Sequence, residues 1–479
     1  STVPPGVREI LRIPGLGPKK VAALWRDLGI TSPGELEYAC LENRLAALPG
    51  FGTKSQLKVL SGLKARAGYA GKVLLPAAMA VQREVRELLP RDAPFAWTGE
   101  AGRLCPVVEG IEMLVADAGA ARRVASHLRL QEIGPTLYKG SLTTGASVRI
   151  RVVAQGGFGA AAVWDTSSEP FRDALFARAA EAGLVWGEDG LSRGGAAVET
   201  PSEDAFWAAL GRAPVPRECR VVRQALDEDL SDLVSEADIR GAFHVHTDWS
   251  DGGATLEEMA GAAEALGWSY LGICDHSVSA SYANGLSAQR LREQRLAIAE
   301  AQARHPGVRL FAGVESDILG DGALDYPEDV LRSLDLVVAS VHSRFALDEE
   351  AQTLRLVTAV SHPACTCLGH PTSRLLLARE GYAFRWEEVV AAMARANTLV
   401  ELNANPHRLD VDWSRIPQLR AQGIKIGVHP DAHSTEGMED VKYGVWAARK
   451  GLARRSDVVN ALGAREVEEY LGSRREPRP

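Results

Sequence analysis

From Arg240 to the C-terminus, short apolar runs alternate with helix-like runs at the spacing of βα units: AFHVH, YLGICDH, VRLFAGVES, LDLVVASVHS, TCLGHP, TLVELNANP and IKIGVHPDAHS. Strands apolar along nearly their whole length need both faces covered, which a parallel sheet wrapped by helices provides. Each run ends in polar or charged residues, and in a parallel barrel the strand C-terminal ends form the rim where chemistry is carried. The pattern predicts a distorted barrel of seven parallel βα units over residues 239–479.

Those strand ends hold most of the 11 histidines of the chain. His244 and His246 lie two apart on one strand, so alternation predicts that both point to one face, and Asp251 follows on the next loop. His276, Glu315, His342 and His370 end the next four strands, and Asp431 and His433 form a second i, i+2 pair on the last. Any one of these histidines alone would more often be a hydrogen-bonded core or surface residue. Nine ligand-type side chains at successive strand ends invert that expectation and predict a metal centre. Imidazoles mixed with carboxylates suit Mn²⁺, Zn²⁺ or Fe²⁺ rather than Ca²⁺, and the number of ligands is too great for one ion. A cluster of two or three divalent ions follows. Ions about 3.5–4 Å apart turn water into a nucleophile and neutralise charge on a phosphoryl group, so the chemistry indicated is phosphoester hydrolysis. The expected catalytic set is His244, His246, Asp251, Glu315, Arg374, Asp431 and His433, with Glu315 as bridging ligand. Arg374 and Arg408, and more weakly Arg344, stand where a guanidinium could hold a phosphate oxygen; surface ion pairs are the alternative.

At the other end, IPGLGPKK (Ile13 to Lys20) recurs 35 residues later as LPGFGTKS (Leu48 to Ser55). Each copy sets Pro-Gly-x-Gly before a helical pattern, so backbone N–H groups in the turn and at the helix N-terminus can face a phosphate oxygen. Gly15, Gly17, Lys19, Lys20, Gly50, Gly52 and Lys54 are the expected DNA-backbone contacts, independent of base sequence. Residues 1–72 carry 11 lysines and arginines against 5 acids, within a chain of net charge −8. A basic end on an acidic body fits a polyanion-docking module joined to a part that holds cations.

Between these ends the chain reads as α+β, with strands expected at Ile111–Asp117, Ser147–Val153 and Ala160–Asp165 and a connector over Gly211–Ile239. No apolar run approaches the roughly 20 residues of a membrane span. The six cysteines include no Cys-x-x-Cys pair, which fits a reduced, cytoplasmic setting. A chain that starts at Ser1 is read as processed or cut from something longer.

The motifs HVHTDWSDG, CDHS, GVESDIL, SVHSRF, GHPTSR and DAHS together resemble the PHP (polymerase and histidinol phosphatase) domain, with the expected residue type at all nine metal positions. Preceded by a double hairpin and an α+β segment, the whole chain resembles the bacterial family X DNA polymerases. The resemblance implies a multidomain α/β protein: helix-hairpin-helix fingers (1–70), an α+β palm (71–155), a thumb-like part (156–212), a linker (213–238) and the PHP barrel (239–479). It further implies hydrolysis of DNA phosphodiesters, typically 3′ to 5′ and with Mn²⁺, on single-stranded or gapped 3′ ends. Ala242 stands where the family usually has Asp, which predicts weaker support for His244. The palm motifs depart further: Gly110 and Glu112 occupy two metal-binding Asp positions and Arg149 the third. GEAGR (Gly99 to Arg103) and WDTSS (Trp164 to Ser168) are degraded forms of the nucleotide-gripping motifs. The expectation is an inactive polymerase core, no lyase chemistry, and a 3′–5′ exonuclease or 3′-end processing activity in DNA repair. A phosphomonoesterase acting on a small metabolite and a non-catalytic DNA-binding scaffold are the alternatives.

Overall fold

The computed structural model describes residues 3–475 apart from 14, 46–47, 49–50, 65–70 and 91–92. Contacts divide the chain into two compact units, one joining Ser1–Ala65 to Leu233–Pro479 and the other spanning Arg66–Asp232.

In the first unit, the N-terminal segment forms helices α1 (Pro5–Ile10), α2 (Pro18–Leu28), α3 (Pro33–Leu41) and α4 (Thr53–Lys64). Proline in the first turn of α1, α2 and α3 removes an N–H that has no intrahelical acceptor there. Ser32 caps α3 by accepting from the Glu35 N–H at 3.2 Å. Gly29, at φ 67°, ends α2 in the left-handed conformation that glycine takes without strain. Val7, Ile10, Val21, Leu24, Leu36 and Val59 face inward and build a small core of their own.

The remainder of that unit is a parallel barrel of strands β1 (Gly241–Val245), β2 (Tyr270–Ile273), β3 (Arg309–Asp317), β4 (Leu336–Ser340), β5 (Cys367–Leu368), β6 (Leu399–Asn403) and β7 (Ile426–His429). The seven strands pair in sequence order, all of them parallel. Closure between β1 and β7 is partial: Val245 bridges Ala432, and the His246 N–H donates to the Ala432 carbonyl at 2.9 Å. Asn460 closes the opposite end, donating at 2.8 Å to Gly241 O on β1 and to Val428 O on β7, and accepting from the Val428 N–H at 2.7 Å. Below the rim, Phe243, Tyr270, Phe311, Val338 and Leu399 pack against Val467 and Leu471 of the C-terminal helix, each fully buried apolar side chain contributing about 1.5–3 kcal/mol. The interior is therefore filled, and the buried polar groups gather mainly at the rim.

The second unit carries a five-stranded mixed sheet in which Gly110–Val115 lies next to the edge, parallel to the central strand Ser147–Val152 and antiparallel to the edge strand Phe95–Thr98. A three-stranded sheet (Val185–Gly187, Gly190–Arg193, Ala196–Val198) follows. The strand expected at Ala160–Asp165 is instead helix, Phe158–Thr166, buried on nearly all sides. Its three consecutive alanines are the strongest helix formers, and a run apolar all round carries no period that separates a buried helix from a buried strand. Among the described residues no helix is long and apolar enough to cross a membrane.

Candidate metal centre

All nine ligand-type side chains meet at the C-terminal rim of the barrel. Ligand atoms within 4.8 Å of one another form four overlapping groups: His246, Asp251, His276 and His433; His244, Glu315 and His370; His244, His246 and Asp431; and His276, Glu315 and His342. Glu315 is the hub. Its Oε1 lies 3.2 Å from His244 Nε2, 3.2 Å from His342 Nε2 and 3.0 Å from His370 Nε2, and its Oε2 lies 2.9 Å from His276 Nδ1. The rings of His246 and His433 stack at 4.2 Å.

The backbone brings these groups together differently from simple strand alternation. The β1–β2 register shifts between Ala242 and Val245, and His244 adopts φ 55°, so a bulge, not a period of two, aims His244 and His246 into one cluster. Asp431 and His433 do not sit on the last strand: β7 ends at His429 and Asp431 turns the chain at φ 52°. Glu315 lies inside β3, two residues before its end. His429, on β7 itself, points into the core, where its Nδ1 accepts from the Phe243 N–H and burial drives its pKa down to about 3.

Buried partners fix the tautomers. His244 Nδ1 donates to Glu401 Oε1 at 2.6 Å, His342 Nδ1 to Asp317 Oδ1 at 2.7 Å, and His433 Nδ1 to the Asp431 carbonyl at 3.0 Å. In each case Nε2 is left as the lone-pair atom facing the cluster. The expectation that Ala242 leaves His244 poorly supported is corrected here, because Glu401 on β6 supplies the carboxylate. Glu401 also accepts the His370 N–H at 2.6 Å, and Asn403 links it to Asp431. Glu401 and Asp317 were not singled out from sequence; the available signals were an acid in the middle of an apolar strand and an acid two residues past Glu315.

The donor set fits cations. His244 Nε2, His246 Nδ1, Asp251 Oδ2, His276 Nδ1, Glu315 Oε2 and His433 Nε2 are buried without a hydrogen-bond partner, and a buried polar atom left so costs about 1–3 kcal/mol. Several pairs approach to about hydrogen-bond distance without hydrogen-bond geometry, as ligands sharing an ion do. Electrostatics agree. Burial opposes the charge of Glu315, yet His342, His244 and His276 hold its carboxyl well below the usual range. Burial likewise opposes charge on His342 and His433, and the facing carboxylates raise both to about 10.

The arginines divide. Arg408 is buried at the cluster edge, 3.7 Å from Asp431 Oδ2, and Arg344 is exposed on the wall of the same cavity of about 840 Å³. Arg374 is not brought there. Its guanidinium is spent on Asp412 at 2.7 Å and on the carbonyls of Arg408 and Leu409, so it holds the 408–412 loop, and its expected catalytic and phosphate-holding placement is corrected. Arg379, missed from sequence, lines the cavity while donating to Ser373 O.

In the hairpins, Gly15 takes φ 89°, and a Cβ on Gly17 or Gly52 would meet nothing within 4 Å, leaving both turns open. Lys19 and Lys54 are exposed. Lys20 is half-buried, donating to Ser55 Oγ at 3.2 Å and lying 4.8 Å from the Phe51 ring centre. Gly50 lies outside the described residues.

Compared with known proteins, the chain is 34% identical over 98% of its length, and 85% of the other, to the Bacillus subtilis (strain 168) protein named DNA polymerase/3′-5′ exonuclease PolX. The chain belongs to the PolX family. Family models agree: residues 7–65 match the SAM-like helix-hairpin-helix tandem and residues 242–405 the PHP domain. A probable phosphatase of Acetivibrio thermocellus is 30% identical over 40% of this chain and 78% of its own. The ternary primer–template complex of Leishmania infantum polymerase beta overlaps 45% of this chain and 97% of its own, at 20% identity and a TM-score of 0.27.

In this PolX chain the palm positions are also clear. Gly110 pairs with Ser147 and Glu112 with Arg149 on adjacent parallel strands. Arg149 Nη1 lies 3.8 Å from Glu112 Oε2. Asp165, in the WDTSS stretch, is taken up by Arg151 at 2.8 and 3.0 Å. Burial raises the Glu112 carboxyl despite Arg149 beside it.

Proposed function

We propose that the protein is a metal-dependent DNA phosphodiesterase, a 3′–5′ exonuclease or 3′-end processing enzyme of DNA repair in the cytoplasm, whose polymerase core is inactive. The observation that carries this is the convergence of six buried, partnerless ligand atoms on the barrel rim. Two or three divalent ions, Mn²⁺ first and Zn²⁺ or Fe²⁺ otherwise, would supply a nucleophile near neutral pH and neutralise phosphoryl charge. His244, His246, Asp251, His276, Glu315, His342, His370, Asp431 and His433 would hold them, with Glu315 bridging. Arg408 and Arg344 orient the phosphate, and the double hairpin, through the turns at Gly15, Gly17, Gly50 and Gly52 and through Lys19 and Lys54, grips single-stranded or gapped DNA without reading sequence, with Lys20 bracing the two hairpins against each other through Ser55 and Phe51.

The inactive-polymerase reading is supported by the palm (71–155, with the thumb-like 156–212). Two catalytic Mg²⁺ ions need converging carboxylates, whereas here a glycine, a glutamate and an arginine stand in their places and Arg149 repels a cation beside Glu112. Grouping of residues 1–65 with the barrel unit agrees with hairpins that serve the hydrolase. A phosphatase reading is favoured only by the kinship to probable phosphatases, and an appended double hairpin has no use on a small metabolite. Incubation of the protein with gapped duplex, Mn²⁺ and dNTPs is the test. Primer shortening without extension is expected; extension products would refute the inactive core.

A further inference from the structure

Contacts between the hairpin helices and the barrel fall on the edge of the metal-type cluster. Arg408 Nε donates to the Tyr38 hydroxyl at 2.7 Å, and its guanidinium lies 4.7 Å from the centre of the Tyr38 ring. Glu42 Oε1 stands 3.7 Å away on the hairpin side and Asp431 Oδ2 3.7 Å away on the cluster side. Arg408 Nη1 is nonetheless buried and partnerless. Three residues past α3, Arg44 lies over the Tyr282 ring at 4.4 Å, and its Nε is also buried without a partner. Tyr282 in turn sits 6.2 Å from the His276 ring and 6.5 Å from His342. Asn43 donates to the Asp251 carbonyl at 3.2 Å. Tyr38, Glu42, Arg44, Tyr282 and Arg408 wall the cavity of about 840 Å³ that opens beside the cluster, within the range of roughly 300–1,000 Å³ of pockets that enclose a single small ligand.

We propose that α3 and the turn after it build the substrate half of the hydrolytic site: Tyr38 positions Arg408 against the phosphate next to the cluster, and Arg44 with Tyr282 forms a shelf for the terminal nucleotide of a single strand. This deepens the phosphodiesterase reading and rests on it. Two buried guanidinium N–H groups without acceptors are satisfied by phosphate or sugar oxygens. The Arg44 guanidinium, lying over the Tyr282 ring, offers a cationic face on which any base stacks without sequence preference. Glu35 and Glu42 on the same wall repel a second run of phosphates, so the pocket favours one free strand end over a duplex.

Steady-state kinetics on a 5′-labelled single-stranded oligonucleotide with Mn²⁺, for the full chain and for Tyr38→Phe, Arg44→Ala and Arg44→Lys, test this. Loss of stacking or of a charge-assisted contact raises KM by roughly tenfold. KM is expected to rise by that factor in Tyr38→Phe and Arg44→Ala with kcat changed less than about threefold, and Arg44→Lys is expected to recover part of it; Mn²⁺ titration is expected to give wild-type affinity. Unchanged KM in both variants overturns the inference, as does a joint fall of kcat and Mn²⁺ affinity, which would mark a merely structural contact. A wild-type chain that leaves the oligonucleotide intact overturns the phosphodiesterase reading beneath it, and the inference with it.

Discussion

Glu315 receives ligand-bearing imidazoles from four directions, and Asp251 and His433 complete the most heavily liganded corner. Asp251→Ala or His433→Ala is expected to cut nuclease activity by at least about 100-fold while leaving DNA binding, measured by fluorescence anisotropy, within about twofold. Glu401→Gln keeps the shape of the residue but not its charge, and loss of such a ligand-orienting carboxylate costs about 10–100-fold in metal affinity; isothermal titration with Mn²⁺ reads it directly. The sign of the pH dependence follows from the raised pKa values. In the metal-free protein His342 and His433 hold protons up to about 10, so their ion-pair stabilisation is full below the ordinary histidine value near 6.5 and fades toward 10. Metal must displace those protons, so Mn²⁺ affinity is expected to rise by about tenfold per proton displaced per pH unit between pH 6.5 and 9, and the rise in Tm on adding Mn²⁺ is expected to grow over that window. The metal-type residues were legible in sequence because six of the 11 histidines fall at or just past the ends of the short apolar runs. Glu401 was not, since a carboxylate inside a strand shows its purpose only when the neighbouring strand sets His244 against it.

At the scale of elements, barrel order and strand number were readable from spacing, because each strand is a short apolar run and each return a helix. The bulge that turns His244 was not, being produced by pairing with β2 and by the meeting with the β7 loop. Nor was the helix at Phe158–Thr166, whose buried, uniformly apolar sequence has no period. A solvent-exposed cap that belongs to no ligand-type group should carry stability alone. Thr255 caps the helix Leu256–Ala265 in a reciprocal box with Glu258, so Thr255→Ala is expected to cost about 1 kcal/mol. Differential scanning calorimetry would read this as a Tm lower by about 2–4 °C, with Mn²⁺ affinity unaltered.

For the whole molecule, the charge split fits the proposed division in which the basic hairpins grip and the acidic barrel hydrolyses. Lys19 and Lys54 are free to meet phosphates, whereas Lys20 is committed to Ser55 and Phe51. The double variant Lys19→Glu/Lys54→Glu should weaken DNA binding uniformly across sequences. Each lost phosphate contact lowers the slope of log K against log salt by about 0.7–0.9, so a salt titration should show a decrease of about 1.4–1.8 for the two contacts; an unchanged slope would remove the hairpins from the interface. The central claim, that the rim cluster cleaves a nucleic-acid backbone, is tested most directly by adding Mn²⁺ to chelator-stripped protein with a 5′-labelled single-stranded oligonucleotide. The account predicts a descending ladder that vanishes with chelator and in Asp251→Ala. An intact oligonucleotide, or a ladder undiminished in Asp251→Ala, would contradict it.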